Sequence, residues 1–258
     1  EGNKARWTDE EMPLTFLVKA KEFIKNNKKQ PFFLYYSLTE PHVPRMPSTM
    51  FKGKSNLGYR GDAILQMDWA VGEIMKQLES LGIAKNTMII FSSDNGPVLD
   101  DGYEDEAVSK LNGHTPGGVL RGGKYSTFEA GTRIPMIISW PSQTKNGISK
   151  ALLSQIDFMA SFSKMLKIKP VKSEATDSED MINVLLGKTN KGRTVLIKQG
   201  ITSLAIVKDN WKYIEPNEGP EINLLTNIEL GNNLLPQLYD LENDLGEKNN
   251  LATQKAEI

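Results

Sequence analysis

Three features of the chain predict an α/β layered fold. Uninterrupted apolar runs of strand length recur along it, stretches with helical apolar spacing lie between them, and connections rich in glycine and proline follow the runs. The runs are Phe32-Phe33-Leu34-Tyr35-Tyr36-Ser37-Leu38, Met88-Ile89-Ile90-Phe91 and Ile134-Pro135-Met136-Ile137-Ile138-Ser139-Trp140. Continuous rather than alternating apolar character is the mark of strands covered on both faces.

The elements follow in order. Pro13 suits a first helical turn, and Leu14, Leu17, Val18 and Ile24 mark one apolar face before the polar stretch from Lys25 to Gln30 ends it. Pro31 opens the first strand, and a proline-rich loop from Glu40 to Pro47 leaves it. Ile64, Met67, Val71, Ile74, Met75, Leu78 and Leu81 recur at helical spacing, with Gly82 as the stop. Thr87 to Ser92 is the second strand, Gly113 to Gly131 a glycine-rich loop, and Ile134 to Trp140 the third strand. An amphipathic helix is expected from Ile156 to Leu166, then a polar stretch from Lys172 to Asp180. Short strands follow at Thr194–Ile197, Ser203–Val207 and Trp211–Ile214, the last two joined by the hairpin turn Lys208-Asp209-Asn210. The expected organisation is a main α/β domain over 1–189 and a small antiparallel subdomain over 190–258.

Composition narrows the function classes. The 258 residues carry 39% hydrophobic and 24% charged residues with a net charge of −1, which describes a globular chain without a nucleic-acid surface or a polybasic membrane patch. No apolar run reaches the roughly 18 residues of a membrane span, and the polar start Glu1-Gly2-Asn3-Lys4 is not a secretory signal. There is no cysteine, so disulfides, thiolate metal sites and a cysteine nucleophile are excluded within these residues.

The residues with the most chemical content are Ser92-Ser93-Asp94-Asn95-Gly96-Pro97, where an apolar strand breaks into a loop. A carboxylate and a carboxamide side by side at a strand's carboxyl end suit a hard cation, although the same residue types also make ordinary turns. Both histidines lie in polar loops. His42, just past the first strand, would share the edge of Asp94 and Asn95 if the strands are parallel, and could act there as general acid or bind an anion; a solvated loop histidine is the alternative. His114 precedes Arg121-Gly122-Gly123-Lys124, where glycine permits close approach and Arg121 and Lys124 can offer positive charge to an oxyanion. The Walker spacing is missing, so this is not a phosphate-binding P-loop.

Taken together, PFFLYYSLTEPHVP (31–44), DWAVGEIMKQLESLGIAKNTMIIFSSDNGP (68–97), LRGGKYSTFEAGTRIPMIISWP (120–141) and LYDLENDLGEKNNLA (238–252) resemble the sulfatase family of the alkaline-phosphatase superfamily, in family order. The resemblance implies an alkaline-phosphatase-like layered sheet with helices on both faces. It implies Asp94 and Asn95 as calcium ligands, Lys124 as the lysine gripping a sulfate oxygen, and His42 as the histidine at the sulfate ester that protonates the leaving oxygen. His114 and Arg121 match no universal family position, and either pocket lining or a structural loop role is open to them. A sulfated carbohydrate substrate and a periplasmic, cell-surface or secreted location are implied in the same way.

The chain also departs from the family. The formylglycine motif, Cys- or Ser-x-Pro-Ser-Arg, is absent, and Ser139-Trp140-Pro141-Ser142-Gln143 lacks its arginine. The paired aspartates that complete the calcium site are missing, and Asp100-Asp101 sit in a polar loop after the motif. The expectation is a C-terminal portion of a sulfatase, with the formylglycine in an N-terminal half that is its natural partner, an incomplete Ca²⁺ site, and no activity in isolation. The competing expectations are a phosphonate or phosphodiester hydrolase of the same superfamily and a non-catalytic, glycan-binding sulfatase remnant.

Overall fold

A computed structural model describes residues 2–169 and 174–258. Glu1 of the polar start and the first two residues of the polar Lys172–Asp180 stretch lie outside the described residues. The chain forms two compact units, one of Glu1–Thr87 with Leu99–Pro116 and the other of Met88–Val98 with Gly117–Ile258.

In the first unit, helix α1 (Met12–Asn27) packs on helix α2 (Gly58–Ser80). Leu17, Ala20 and Ile24 supply the buried stripe of α1, and Ala63, Ala70 and Leu78 that of α2. Pro13 lies in the first turn of α1, where its missing N–H costs nothing. Gly82 closes α2 at a φ of 70°, as its place in the sequence predicts.

The expected strand Phe32–Leu38 is not formed. The segment carries no helix, turn or strand; its burial alternates residue by residue, but no described strand pairs with it. Phe32 meets Phe23 edge-on at 5.9 Å, while Phe33 and Tyr35 on the opposite side are 75% and 81% exposed. An apolar run predicts extended backbone; a strand also needs a neighbour for its N–H and C=O groups.

In the second unit, β1 (Ile89–Ser92) and β2 (Met136–Ser139) form a two-stranded ladder. The ladder is antiparallel, with Ile89 opposite Ser139 and Ser92 opposite Met136, so the parallel arrangement considered for the sequence does not occur here. Nor are these strands doubly covered: β1 is half-buried and Ile137 of β2 is 62% exposed. The antiparallel register sets the carboxyl end of β1 beside the residues that enter β2, which follow the short helix α3 (Glu129–Thr132).

Helix α4 (Phe158–Leu166) is entered through a capping box of Ser154 and Asp157, and α5 (Ile182–Leu185) is a single turn. The antiparallel sheet expected near the C-terminus is present. Its strands β3 (Val195–Gln199), β4 (Leu204–Lys208), β5 (Trp211–Ile214) and β8 (Gln237–Asp240) are ordered β3-β4-β5-β8, and a two-residue ladder joins β6 (Ile222–Asn223) to β7 (Ile228–Glu229). Asp209 takes a φ of 52° in the β4–β5 turn, a conformation that Asp tolerates. The core of this unit is Phe128, Ala205, Val207, Ile214, Tyr239 and Leu241, with Leu152 against it. Phe128 thus carries the glycine-rich loop into the sheet's core.

Candidate functional site

Asp94 and Asn95 lie just beyond β1, in the loop its end opens into. Ser92 Oγ donates to Pro135 O at 2.9 Å, and Gln155 Nε2 donates to Ser92 Oγ at 3.1 Å and to Ser93 O at 2.9 Å. Ser93 Oγ donates to Asn95 O at 2.9 Å, closing the turn. Asp94 is exposed and Asn95 half-buried, with Asn95 Nδ2 donating to Asp94 Oδ1 at 3.1 Å. That bond fixes the carboxamide so that its oxygen is not the atom turned to Asp94. Two side-chain oxygens from adjacent residues are a fraction of the six to eight ligands calcium takes. Among the described residues no group of three or more His, Cys, Asp or Glu is placed to hold a metal.

Lys124 is brought to this turn by backbone contacts. Its amide donates to Pro97 O at 2.9 Å, and Gly96 N donates to Gly131 O at 3.1 Å. The two loops are pressed so closely that a Cβ on Gly96 would fall 1.6 Å from Ala130 O, and one on Gly123 would fall 2.6 Å from Pro97 O. Glycine at both positions is a packing requirement. The Lys124 ammonium lies 5.2 Å from the Tyr125 ring centroid. Asp94, Asn95 and Lys124 thus belong to one hydrogen-bonded piece of the second unit.

Behind Lys124 the loop is sewn into the sheet region. Thr127 N and Oγ1 both donate to Leu230 O, at 3.0 and 2.8 Å. The fully buried Glu129 meets Lys198 Nζ at 2.6 Å, Lys212 Nζ at 3.0 Å and Arg133 Nε at 2.6 Å. Its amide donates to Glu247 Oε2 at 2.5 Å, and Lys212 Nζ lies 2.8 Å from Glu247 Oε1. Burial pushes the Glu129 carboxyl up, but Lys212, Lys198 and Arg133 outweigh it and hold it well below the usual carboxylate range. Burial wins at Glu247, which faces Lys212 against the repulsion of Glu129, and its carboxyl is raised. Neither this network nor Gln155 stood out in the sequence.

Arg121 points into the scaffold. Its Nε and Nη2 bind Glu229 at 2.9 and 3.1 Å, its Nη1 donates to Glu247 O at 2.8 Å, and its guanidinium stacks 4.0 Å from the Phe128 ring centroid. The hydrogen bond from Arg121 holds Glu229 below the usual carboxylate range. All of these partners lie in its own unit.

His42 and His114 both lie in the first unit. His42 N donates to Thr39 O at 3.2 Å, and its Nδ1 lies 2.7 Å from Val43 O. A carbonyl only accepts, so Nδ1 carries the proton and the neutral ring keeps its lone pair on Nε2. Arg45 ties this loop down, donating from Nε to Pro41 O at 3.0 Å and from Nη1 to Leu99 O at 3.0 Å and Asp105 Oδ2 at 2.6 Å. Gln66 of α2 braces it further, donating to Glu40 Oε1 and accepting from Ser48 N at 2.9 Å. His114 Nδ1 lies 3.0 Å from Arg60 Nη2.

The sulfatase family model matches residues 9–168, which include the His42 loop, the Asp94-Asn95 turn and Lys124. The chain belongs to the sulfatase family. An N-acetylgalactosamine-6-O-sulfatase of Bacteroides thetaiotaomicron is 52% identical over 258 residues, all of this chain and 50% of that protein. The mouse N-acetylgalactosamine-6-sulfatase is 30% identical over 252 residues, 90% of this chain and 47% of that protein. This sulfatase chain therefore spans about half the length of the curated relatives it matches. Among solved structures, a Bacteroides thetaiotaomicron sulfatase described with the metabolism of multiple glycosaminoglycans superposes with a TM-score of 0.97 at 52% identity, over 99% of this chain and 54% of that one. A Pseudoalteromonas sulfatase superposes with a TM-score of 0.77 at 25% identity, over 93% of this chain and 48% of that one. The fold is the alkaline-phosphatase-like α/β fold that the motifs implied.

Proposed function

We propose that this sulfatase chain supplies the cation-binding turn and the sulfate-gripping lysine of an enzyme that hydrolyses the 6-sulfate ester of N-acetylgalactosamine in a sulfated glycan. The observation that carries the reading is the bond between the two loops, which makes Asp94, Asn95 and Lys124 a single piece. The substrate rests on the names of the Bacteroides and mouse relatives.

In this reading Asp94 and Asn95 hold part of the coordination sphere of a calcium ion, which when bound polarises a sulfuryl oxygen. Lys124 sets a positive charge against another sulfuryl oxygen, where negative charge grows in the transition state. His42, with its Nδ1 proton donated to Val43 O, takes a proton at Nε2 and delivers it to the departing sugar oxygen. Arg121 is scaffold. The nucleophile, a formylglycine by family resemblance, and the remaining calcium ligands come from a segment outside these residues, which contain no cysteine. That segment, an N-terminal half, is the chain's partner. An exported location, in the periplasm, at the cell surface or secreted, fits a glycan substrate; among the described residues no helix is long and apolar enough to cross a membrane.

The test is sulfate release from N-acetylgalactosamine 6-sulfate by this chain alone and by the full-length protein that contains it. The full-length protein is expected to release sulfate and the isolated chain none. Turnover of phosphonate or phosphate diesters without turnover of the sulfate ester would overturn the assignment, and turnover by the isolated chain would overturn the missing-nucleophile account.

A further inference from the structure

The first unit buries two arginines, and their charges are met differently. Arg45 is 3% exposed and paired with Asp105. Arg60, in the first turn of α2, is 5% exposed, and among the described residues no Asp or Glu oxygen lies within ion-pair distance of it. Among the described residues its Nη2 meets His114, and its buried Nε has no acceptor. Burial, and then the charge of Arg45, lower its affinity for its proton, with Asp105 opposing. Arginine does not deprotonate in proteins, so the charge stays and is under-compensated.

The histidine beside it has a defined form. A guanidinium has only donors, so the contact at 3.0 Å requires the lone pair of His114 on Nδ1 and its proton on Nε2. The ring is held there from its own loop. Asn112 and Gly113 turn the chain with φ of 45° and 78°, His114 N donates to Leu111 O at 2.8 Å, and Asn112 Nδ2 donates to Asn56 O, four residues before Arg60. His114 itself is exposed.

We propose that Arg60 and His114 form an oxyanion subsite, in which the exposed Nε2–H of His114 donates to a carboxylate or sulfate oxygen and the buried charge of Arg60 behind the ring retains it. A metal cation is repelled by Arg60, and a neutral hydroxyl would leave its charge uncompensated. That the anion belongs to a glycan, as a second sulfate or a uronate, rests on the function proposed above; the anion preference does not.

The chain has two histidines, so protein labelled with ¹⁵N-histidine gives one ring signal set each for His42 and His114. Sodium sulfate and methyl glucuronide are titrated separately at constant ionic strength, with chloride as control. The expected result is a His114 ring in the Nε2–H form that shifts saturably with at least one of the two anions and not with chloride. Saturation by sulfate alone assigns a sulfate subsite, and by the glucuronide alone a carboxylate subsite. In Arg60→Gln the affinity falls about tenfold or more, with His42 reporting an intact fold. If Arg60→Gln does not fold, the surface variant His114→Gln is read by calorimetry with the same anions and the same expected loss. A ring unresponsive to both anions, or binding undiminished in the variant that folds, overturns the proposal. Because the titration needs no hydrolysis, failure of the subsite leaves the sulfatase reading standing, and an inactive full-length enzyme leaves the subsite standing.

Discussion

The amide of Lys124 donates to the carbonyl oxygen of Pro97 at 2.9 Å, three residues beyond Asp94. Lys124 and the Asp94-Asn95 turn, far apart in sequence, are joined by this bond and by that from Gly96 N to Gly131 O. Whatever separates the two loops should move both groups at once.

Gly96→Ala does so. Its Cβ would fall 1.6 Å from Ala130 O, and backbone on both sides has to shift. The expected cost is about 2–3 kcal/mol in urea unfolding, the range of overpacking in a tight interior. Gly72→Ala is the control: it lies inside α2 with open space where the Cβ would go, and is expected to stabilise by about 0.5–1 kcal/mol. Equal midpoints for the two variants would show that the loops are not held as tightly as their backbones imply.

Calcium affinity follows from the donor count. With Asp94 and Asn95 as its cation-binding pair, the isolated chain is expected to bind Ca²⁺ with a dissociation constant weaker than about 10⁻³ M, beyond the loosest natural protein sites. Asp94→Asn, which removes the one carboxylate, should abolish the heat of binding in calorimetry. Micromolar binding, or binding that survives Asp94→Asn, would mean that other residues of this chain complete the site.

For the full-length enzyme, Lys124→Ala is expected to lower kcat by about 10²–10³, the scale of removing one group that faces developing charge. His42→Ala should lower kcat most for substrates with poor leaving groups, and least for an aryl sulfate whose phenolate needs little protonation. A His42 variant equally impaired on both substrates would refute its role as the acid.

Local patterns were legible in the sequence, and pairings were not. The spacing of Ile64, Met67, Val71 and Ile74 gives α2, because a helix satisfies its own backbone. The short strand-like runs Ser203–Val207 and Trp211–Ile214, with the Lys208-Asp209-Asn210 turn between, give the β4–β5 hairpin. The run Phe32–Leu38 says only that the segment is extended and apolar, since a ladder partner is not a local property. The site divides in the same way. Asp94, Asn95 and Lys124 were readable as a strand end and a glycine loop, whereas Glu129 finds Lys198 and Lys212 from 69 and 83 residues away. Lys212 did leave a signal: it shares its strand face with the fully buried Ile214, two residues on, where a solvated lysine does not belong.

That buried network gives a pH prediction whose sign differs between its two acids. The Glu129 carboxyl is held below its ordinary range, so its contribution to stability is complete above about pH 4.3, the unfolded value, and is lost as the pH falls below it. Glu247 is raised, so its ionised form is a cost at neutral pH that protonation relieves on acidification. Glu129→Gln strands the buried Lys198, leaves Lys212 only Glu247 and takes the partner of Arg133, and is expected to cost about 3–5 kcal/mol at pH 7, the scale for breaking a buried ion pair. Its penalty should shrink as the pH falls below about 4.3 toward 3, because the unfolded chain then binds a proton at this position that the folded, still ionised Glu129 does not. Glu247→Gln leaves Lys212 its partner Glu129 and should cost clearly less at pH 7. Urea unfolding of both variants between pH 3 and 8 decides the matter: a Glu247→Gln penalty equal to or above that of Glu129→Gln would place the keystone of the network at Glu247 instead.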